Sequence, residues 1–181
     1  EIKLRETLKE EKSIEVAISY SSRPRKGFYF IAPDKHYLDK QAEAWTQGET
    51  TEAKYWFPCL DHPQVKFSSE ISITVPRGFS AISNGRLLRV EQKNKNLIYH
   101  WSESNPHPAY LASIVIGRYV EIKEGNLYYY VPQDRRQDAG RSFDHTPEML
   151  KFFEGYFGTE YPYEKYSQVV VQDFVFGGME N

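Results

Sequence analysis

The chain has 181 residues, 40% apolar and 27% charged, with a formal charge of -2; that is the balance of a globular protein with room for one domain, or for one domain and the beginning of another. The charge excludes the basic stripe of a nucleic-acid binder, and no apolar run is long enough for a membrane-crossing helix. The single cysteine, Cys59, excludes an internal disulfide and a Cys-x-x-Cys metal site, and fits a reducing, cytoplasmic setting.

The opening EIKLRETLKEEKS is charged throughout and lacks the apolar stretch of a secretory signal. Residues 13–20 place Ile14, Val16, Ile18 and Tyr20 on one face at period two, predicting a half-buried strand. A basic turn at residues 23–26 leads to a second strand over 27–32. Residues 33–65 show no clear periodicity; an excursion of that length is unusual in a compact domain unless it has a task. Alternation resumes with Phe67, Ser69, Ile71, Ile73 and Val75 and stops at Pro76. Asn84-Gly85, between two strand-like runs within 79–90, predicts a hairpin. Residues 97–101 and 109–122 continue the β pattern, the latter interrupted by a bulge or bend at Gly117. Aromatic residues, 15% of the chain with Tyr leading at 14, fit the same pleated surfaces.

The pattern changes near Glu124-Gly125-Asn126. A short strand is predicted over 127–131. Thr146-Pro147-Glu148 then reads as a cap, a first-position proline and an acidic first turn. Met149, Leu150, Phe153, Tyr156 and Phe157 form a stripe at helical spacing, whose plain role is core packing. A buried strand is predicted over 167–174. The fold class is therefore mostly β: an antiparallel β-domain over 1–122, then a strand–helix–strand segment over 123–181 that reads as the opening of an α+β domain. One helix and two strands bury little by themselves, so this second unit reads as incomplete.

None of the five histidines forms HExxH, and neither a GxSxG elbow nor a GxGxxG phosphate cradle is present. Cys59 reads as a small packed residue, Trp56 and Phe57 as core, and Asp61 as a group bonding a turn near Pro63. Three segments stand out: Thr46-Gln47-Gly48-Glu49; Tyr55-Trp56-Phe57-Pro58-Cys59-Leu60-Asp61; and the terminal Gly177-Gly178-Met179-Glu180-Asn181. In that order and at that spacing they resemble the aminopeptidase N and leukotriene-hydrolase family of zinc peptidases, over nearly the whole chain.

The resemblance implies a saddle-like β-domain, here lacking its first strands, followed by the start of a thermolysin-like catalytic domain. It places the zinc ligands, HExxH and a later glutamate, beyond Asn181, so no catalytic residue and no zinc are expected on this chain. Glu180 would pair with the α-ammonium of a peptide substrate, with Glu49 as a second carboxylate and Gln47 beside it. Gly177 and Gly178 would offer backbone groups along the peptide, Met179 would cushion the first side-chain pocket, and Asn181 would hold the loop. Many members carry alanine where Gly178 stands; glycine occurs in the leukotriene-hydrolase branch. The implied partners are a peptide with a free amino terminus and the remainder of the chain's own catalytic domain. By residue type alone, Gln47 and Glu49 read as an ordinary polar loop, and Glu180-Asn181 as a solvated chain end. The alternative function is a non-catalytic relative serving as an interaction scaffold, against which the intact TQGE and GGMEN count.

Physical chemistry supports that division of labour. A peptide's terminal amine has a pKa of about 7.7–8.0 and is largely cationic near neutrality. Burying that cation unpaired is costly, so a site that selects it needs carboxylates. Glycine allows close backbone approach, and methionine adapts to varied side chains.

Overall fold

The structure, a computed structural model, describes residues 13–181; the charged opening, including the segment read above as lacking a secretory signal, lies almost entirely outside the described residues. The strands are β1 (Phe28–Ile31), β2 (Glu43–Thr46), β3 (Lys66–Pro76), β4 (Ser80–Ser83), β5 (Arg86–Lys93), β6 (Asn96–Pro108), β7 (Ile114–Gly117), β8 (Tyr119–Glu124), β9 (Leu127–Pro132) and β10 (Tyr166–Val169); the helices are α1 (Arg136–Phe143) and α2 (Thr146–Phe157). They build three sheets, ordered β1-β2-β7-β4, β3-β6-β5 and β10-β9-β8. Every pairing is antiparallel except β9 with β10. The protein is thus mostly β, as its sequence predicts. No described helix is long and apolar enough to cross a membrane.

The core lies where the sheets face one another. Trp45 of β2, Ile73 and Val75 of β3, Ile82 of β4, Trp101 of β6, Val115 of β7 and Tyr130 of β9 form one buried cluster. On β3 the expected alternation holds: Ile73 and Val75 are buried, while Ser72, Thr74 and Pro76 between and beyond them are exposed. The indole N–H of Trp101 is satisfied inside the core by the Ala81 carbonyl at 3.0 Å, as a buried donor requires.

Several elements depart from expectation. Residues 13–20 form no strand, and Ile14, Val16, Ile18 and Tyr20 are exposed. An alternating pattern becomes a strand only against a neighbour; this segment is instead held by the Tyr20 hydroxyl, which donates to the Trp56 carbonyl at 3.0 Å. Inside the long excursion lies β2, buried at all four residues and flanked by β1 and β7. Asn84-Gly85 makes a turn but not a hairpin, since β4 pairs with β7 and β5 with β6. Asn84 uses its side chain elsewhere, donating to the Leu111 carbonyl at 2.9 Å and accepting from Ser113 N at 2.6 Å.

In the second half, α1 has no counterpart among the predicted elements, and β10 ends at Val169, short of 174. The cap of α2 is His145, while the Thr146 hydroxyl donates to Gln168 Oε1 at 2.9 Å and ties the helix to β10. Of the apolar stripe of α2 only Leu150 is half-buried; Met149, Phe153, Tyr156 and Phe157 are exposed, as is Phe152 beside them at 63%. Asp61 bonds back to Lys54 N at 3.1 Å rather than forward toward Pro63.

Candidate functional site

Strand β2 organises the site twice over. Its chain runs directly from Thr46 into Gln47, Gly48 and Glu49. That exit is fixed from three sides: Gln47 N donates to the Gly27 carbonyl at 3.0 Å, Thr46 Oγ1 accepts from Ile114 N at 2.9 Å, and the Gly48 carbonyl accepts from Glu52 N at 2.9 Å. Gln47 is only 3% exposed.

The side chains of the same strand hold the approach to the terminal loop. After β10, Val170 N still donates to the Tyr130 carbonyl at 2.9 Å. Gln172 N then donates to Glu43 Oε1, and the Trp45 indole N–H donates to the Gln172 carbonyl at 3.1 Å. Lys40 pairs with Asp173 at 2.5 Å, and the Phe174 ring meets Trp45 edge-on at 5.1 Å. Residues 172–174 are therefore docked on β2 just before the chain turns into Gly177-Gly178-Met179-Glu180-Asn181.

The two motifs consequently meet. Gln47 Nε2 reaches Met179 Sδ at 3.7 Å across 132 positions of sequence. Thr46 and residues 177–181 line a cavity of about 760 Å³. Gln47 and Glu49 are outside that lining, and Gln47 meets the terminal loop through Met179. A side-chain carbon at Gly177 or Gly178 would have no neighbour within 4 Å, so packing within this chain does not demand glycine at either position. Gly48 differs: a Cβ there would fall 2.5 Å from the Tyr110 carbonyl oxygen.

Burial sets the electrostatics. Desolvation raises the Glu43 carboxyl above its ordinary value, opposed by the donors Gln172 N and Tyr119 OH. The Tyr110 phenol is raised by desolvation and then by Glu180 and Glu49. At another part of the cavity wall, burial pushes Lys165 down to about 8; its ammonium donates to the Ser83 carbonyl at 2.8 Å and sits 4.9 Å from the centre of the Trp101 ring. Cys59 is pushed up to about 11 by burial, which suits packing and not nucleophilic attack.

Chemically, the two loops carry two carboxylates, two carboxamides and a thioether. This is a set for a cation attached to an apolar body. It is not a set for a metal: among the described residues no three His, Cys, Asp or Glu side chains are grouped to hold one. The described residues therefore do not fit zinc.

Sequence reasoning missed Glu43, Trp45 and Tyr110. Glu43 and Trp45 sit in a four-residue strand too short to show a period, and Tyr110 lies on a single 3-10 turn, Ala109–Leu111. A Trp directly before the motif that opens at Thr46 is the one available signal.

Residues 1–111 match the Peptidase M1 N-terminal domain, and residues 141–181 match the Peptidase family M1 domain. Aminopeptidase M1 of Arabidopsis thaliana is 35% identical over 162 residues, covering 86% of this chain and 18% of the relative. Glutamyl aminopeptidase of Rattus norvegicus is 32% identical over 165 residues, covering 86% and 17%. Leucyl aminopeptidase of Saccharolobus solfataricus is 29% identical over 140 residues, covering 75% and 18%. The chain thus spans less than a fifth of the length of these curated relatives. Both matched segments occur in the expected order, and the chain belongs to the M1 peptidase family.

Proposed function

We propose that this chain supplies the amino-terminus grip of a zinc aminopeptidase. In this reading Glu49 and Glu180 receive the α-ammonium group of a peptide, with Gln47 beside them. Gly177 and Gly178 offer backbone groups along the substrate, Met179 cushions its first side chain, and Asn181 holds the loop. The observation that carries the proposal is the meeting of Gln47 with Met179 across 132 positions of sequence, which brings the loops bearing Glu49 and Glu180 together. Two carboxylates at one point suit a terminal ammonium and not an internal amide. They also fix the register, so that the first peptide bond is the one presented for cleavage. Metal and general base belong to sequence outside this chain; when bound, zinc would supply an activated water. The three relatives described above are named as aminopeptidases, which supports the reaction class. The uncovered apolar face of α2 supports a second part of the proposal, that the rest of the catalytic domain packs there. We place the division between the two units near residue 122, and the protein in the cytoplasm on its single thiol.

The test uses the full-length enzyme that carries this chain. Glu180→Gln and Glu49→Gln should each lower kcat/KM on an amino-acid arylamide by about 100-fold, the scale of a lost hydrogen bond to a charged group. Unchanged kinetics in both variants would overturn the amine-grip reading.

A further inference from the structure

We infer that Asp173 is a positioning residue of the amine site: its left-handed turn, held by Lys40, aims the Gly177-Gly178-Met179-Glu180-Asn181 loop at Gln47 and Glu49. The inference rests on the amine-grip reading above and adds a residue pair to it. Asp173 has φ 57°, a conformation that a Cβ makes costly and that Asn and Asp tolerate best after glycine. Among the described residues the one other non-glycine with positive φ is Asn94, in the tight turn between β5 and β6, where the hairpin itself imposes it. Asp173 stands in no hairpin. Both its neighbours are instead fixed to β2. Gln172 N donates to Glu43 and the Gln172 carbonyl accepts from the Trp45 indole at 3.1 Å, while the Phe174 ring meets Trp45 at 5.1 Å and Phe176 at 5.9 Å. The chain turns at Asp173 between two anchored residues, and the direction in which it leaves decides where residues 177–181 arrive. The contacts then fall in order: Phe174 on Trp45, and Met179 on Gln47 two residues farther along, with Sδ 3.7 Å from Nε2.

Lys40 supplies the hold. Its Nζ donates to Asp173 Oδ2 at 2.5 Å and lies 4.7 Å from the centre of the Tyr37 ring. The segment that presents it is ordered by its own hydrogen bonds. Asp34 Oδ1 accepts from His36 N at 2.7 Å and from Tyr37 N at 3.0 Å, and Lys40 N donates to the Tyr37 carbonyl at 3.4 Å. The first part of the long excursion thereby acquires a task, while the later part carries β2 and its exit. The Asp173 side chain is 45% exposed, and an ion pair so open to water adds little to stability. What the pair fixes is geometry. A strained residue persists only where its surroundings over-determine it, and here Lys40 acts on Asp173 itself while β2 holds the residue on either side.

The experiment compares Asp173→Ala, Asp173→Asn and Lys40→Met with wild type in the full-length enzyme. Alanine loses both the pair and the tolerance of positive φ; asparagine keeps the tolerance and an acceptor for Lys40. Asp173→Ala should raise KM for an amino-acid arylamide and the inhibition constant of hexylamine by about tenfold each, the scale of a left-handed residue's cost, with a much smaller fall in kcat. Lys40→Met should raise both about threefold, and Asp173→Asn should stay within about twofold of wild type. A merely structural role would lower kcat through a smaller folded fraction and leave both constants where they are. If Asp173→Ala fails to fold, Lys40→Met decides, because it leaves the turn's own residue in place. Unmoved constants in either of these variants, or an Asp173→Asn enzyme as impaired as Asp173→Ala, would overturn the inference. Should Glu49→Gln and Glu180→Gln leave kcat/KM unmoved, the amine-grip reading itself has failed; should they lower it while Asp173→Ala and Lys40→Met change nothing, only the role of Asp173 falls.

Discussion

Glu43 shows how a residue far from any motif decides where a motif stands. Its carboxylate accepts from Gln172 N and from the Tyr119 hydroxyl, the latter at 3.0 Å, and so joins β2 to the approach of the terminal loop. Burial raises its pKa above the ordinary 4.5. A carboxyl raised in the folded state favours folding fully below its unfolded pKa, and that contribution is lost as pH rises through the folded value. Glu43→Gln fixes the neutral form. Wild type should therefore lose thermal stability relative to Glu43→Gln as pH rises through the window just above 4.5. Parallel melting profiles of the two proteins would contradict this account. Nothing in the sequence marks Glu43, because its burial depends on strands on both sides and on a segment 129 positions away.

At the scale of elements, the turn at Asn84-Gly85 is legible and its consequence is not. The dipeptide announces a reversal, but which strands then pair is a matter of distant chain. Gly85 has φ 69°, and a Cβ there would meet the Ser102 carbonyl oxygen at 2.0 Å. Gly125 has φ 58° with open space around it. The pair separates conformational strain from collision. Gly125→Ala should cost about 1 kcal/mol by urea unfolding, and Gly85→Ala about 3 kcal/mol or more, because backbone must move. Equal losses would show that the collision is relieved cheaply.

Helix α2 makes the complementary point. Its stripe of Met149, Phe153, Tyr156 and Phe157 is real, but periodicity reports amphipathicity and not what covers the face. Phe152→Ala should change the stability of this chain alone by no more than about 0.5 kcal/mol, as for an exposed site. In the full-length enzyme it should cost about 3 kcal/mol. The same small effect in both would remove the support for a covering catalytic domain.

Over the whole molecule, the two halves are joined by specific polar contacts: Lys40 with Asp173, Trp45 with the Gln172 carbonyl, and Lys165 with the Ser83 carbonyl. These span sequence separations of 133, 127 and 82, and they align the GGMEN loop with the TQGE loop. In the proposed function this arrangement recognises and orients a substrate, while the activated water comes from sequence outside this chain. This chain by itself should hydrolyse no amino-acid arylamide and bind no stoichiometric zinc, as read by chromogenic assay and metal analysis after dialysis. Turnover by the pure chain would contradict the proposal.

The sequence alone determined the β character, because the alternation on β3 and the aromatic, β-branched run of β9 are local properties of neighbouring side chains. It also determined the composition of the two motifs, because a string of residues is readable without a fold. Only the tertiary structure decided that β2 lies within the excursion, that residues 13–20 join none of the described sheets, that β4 and β5 part into different sheets, and that Gly48 lies against the backbone of Tyr110. Each of these depends on contacts between residues far apart in the chain, and a local pattern carries no information about its distant partner.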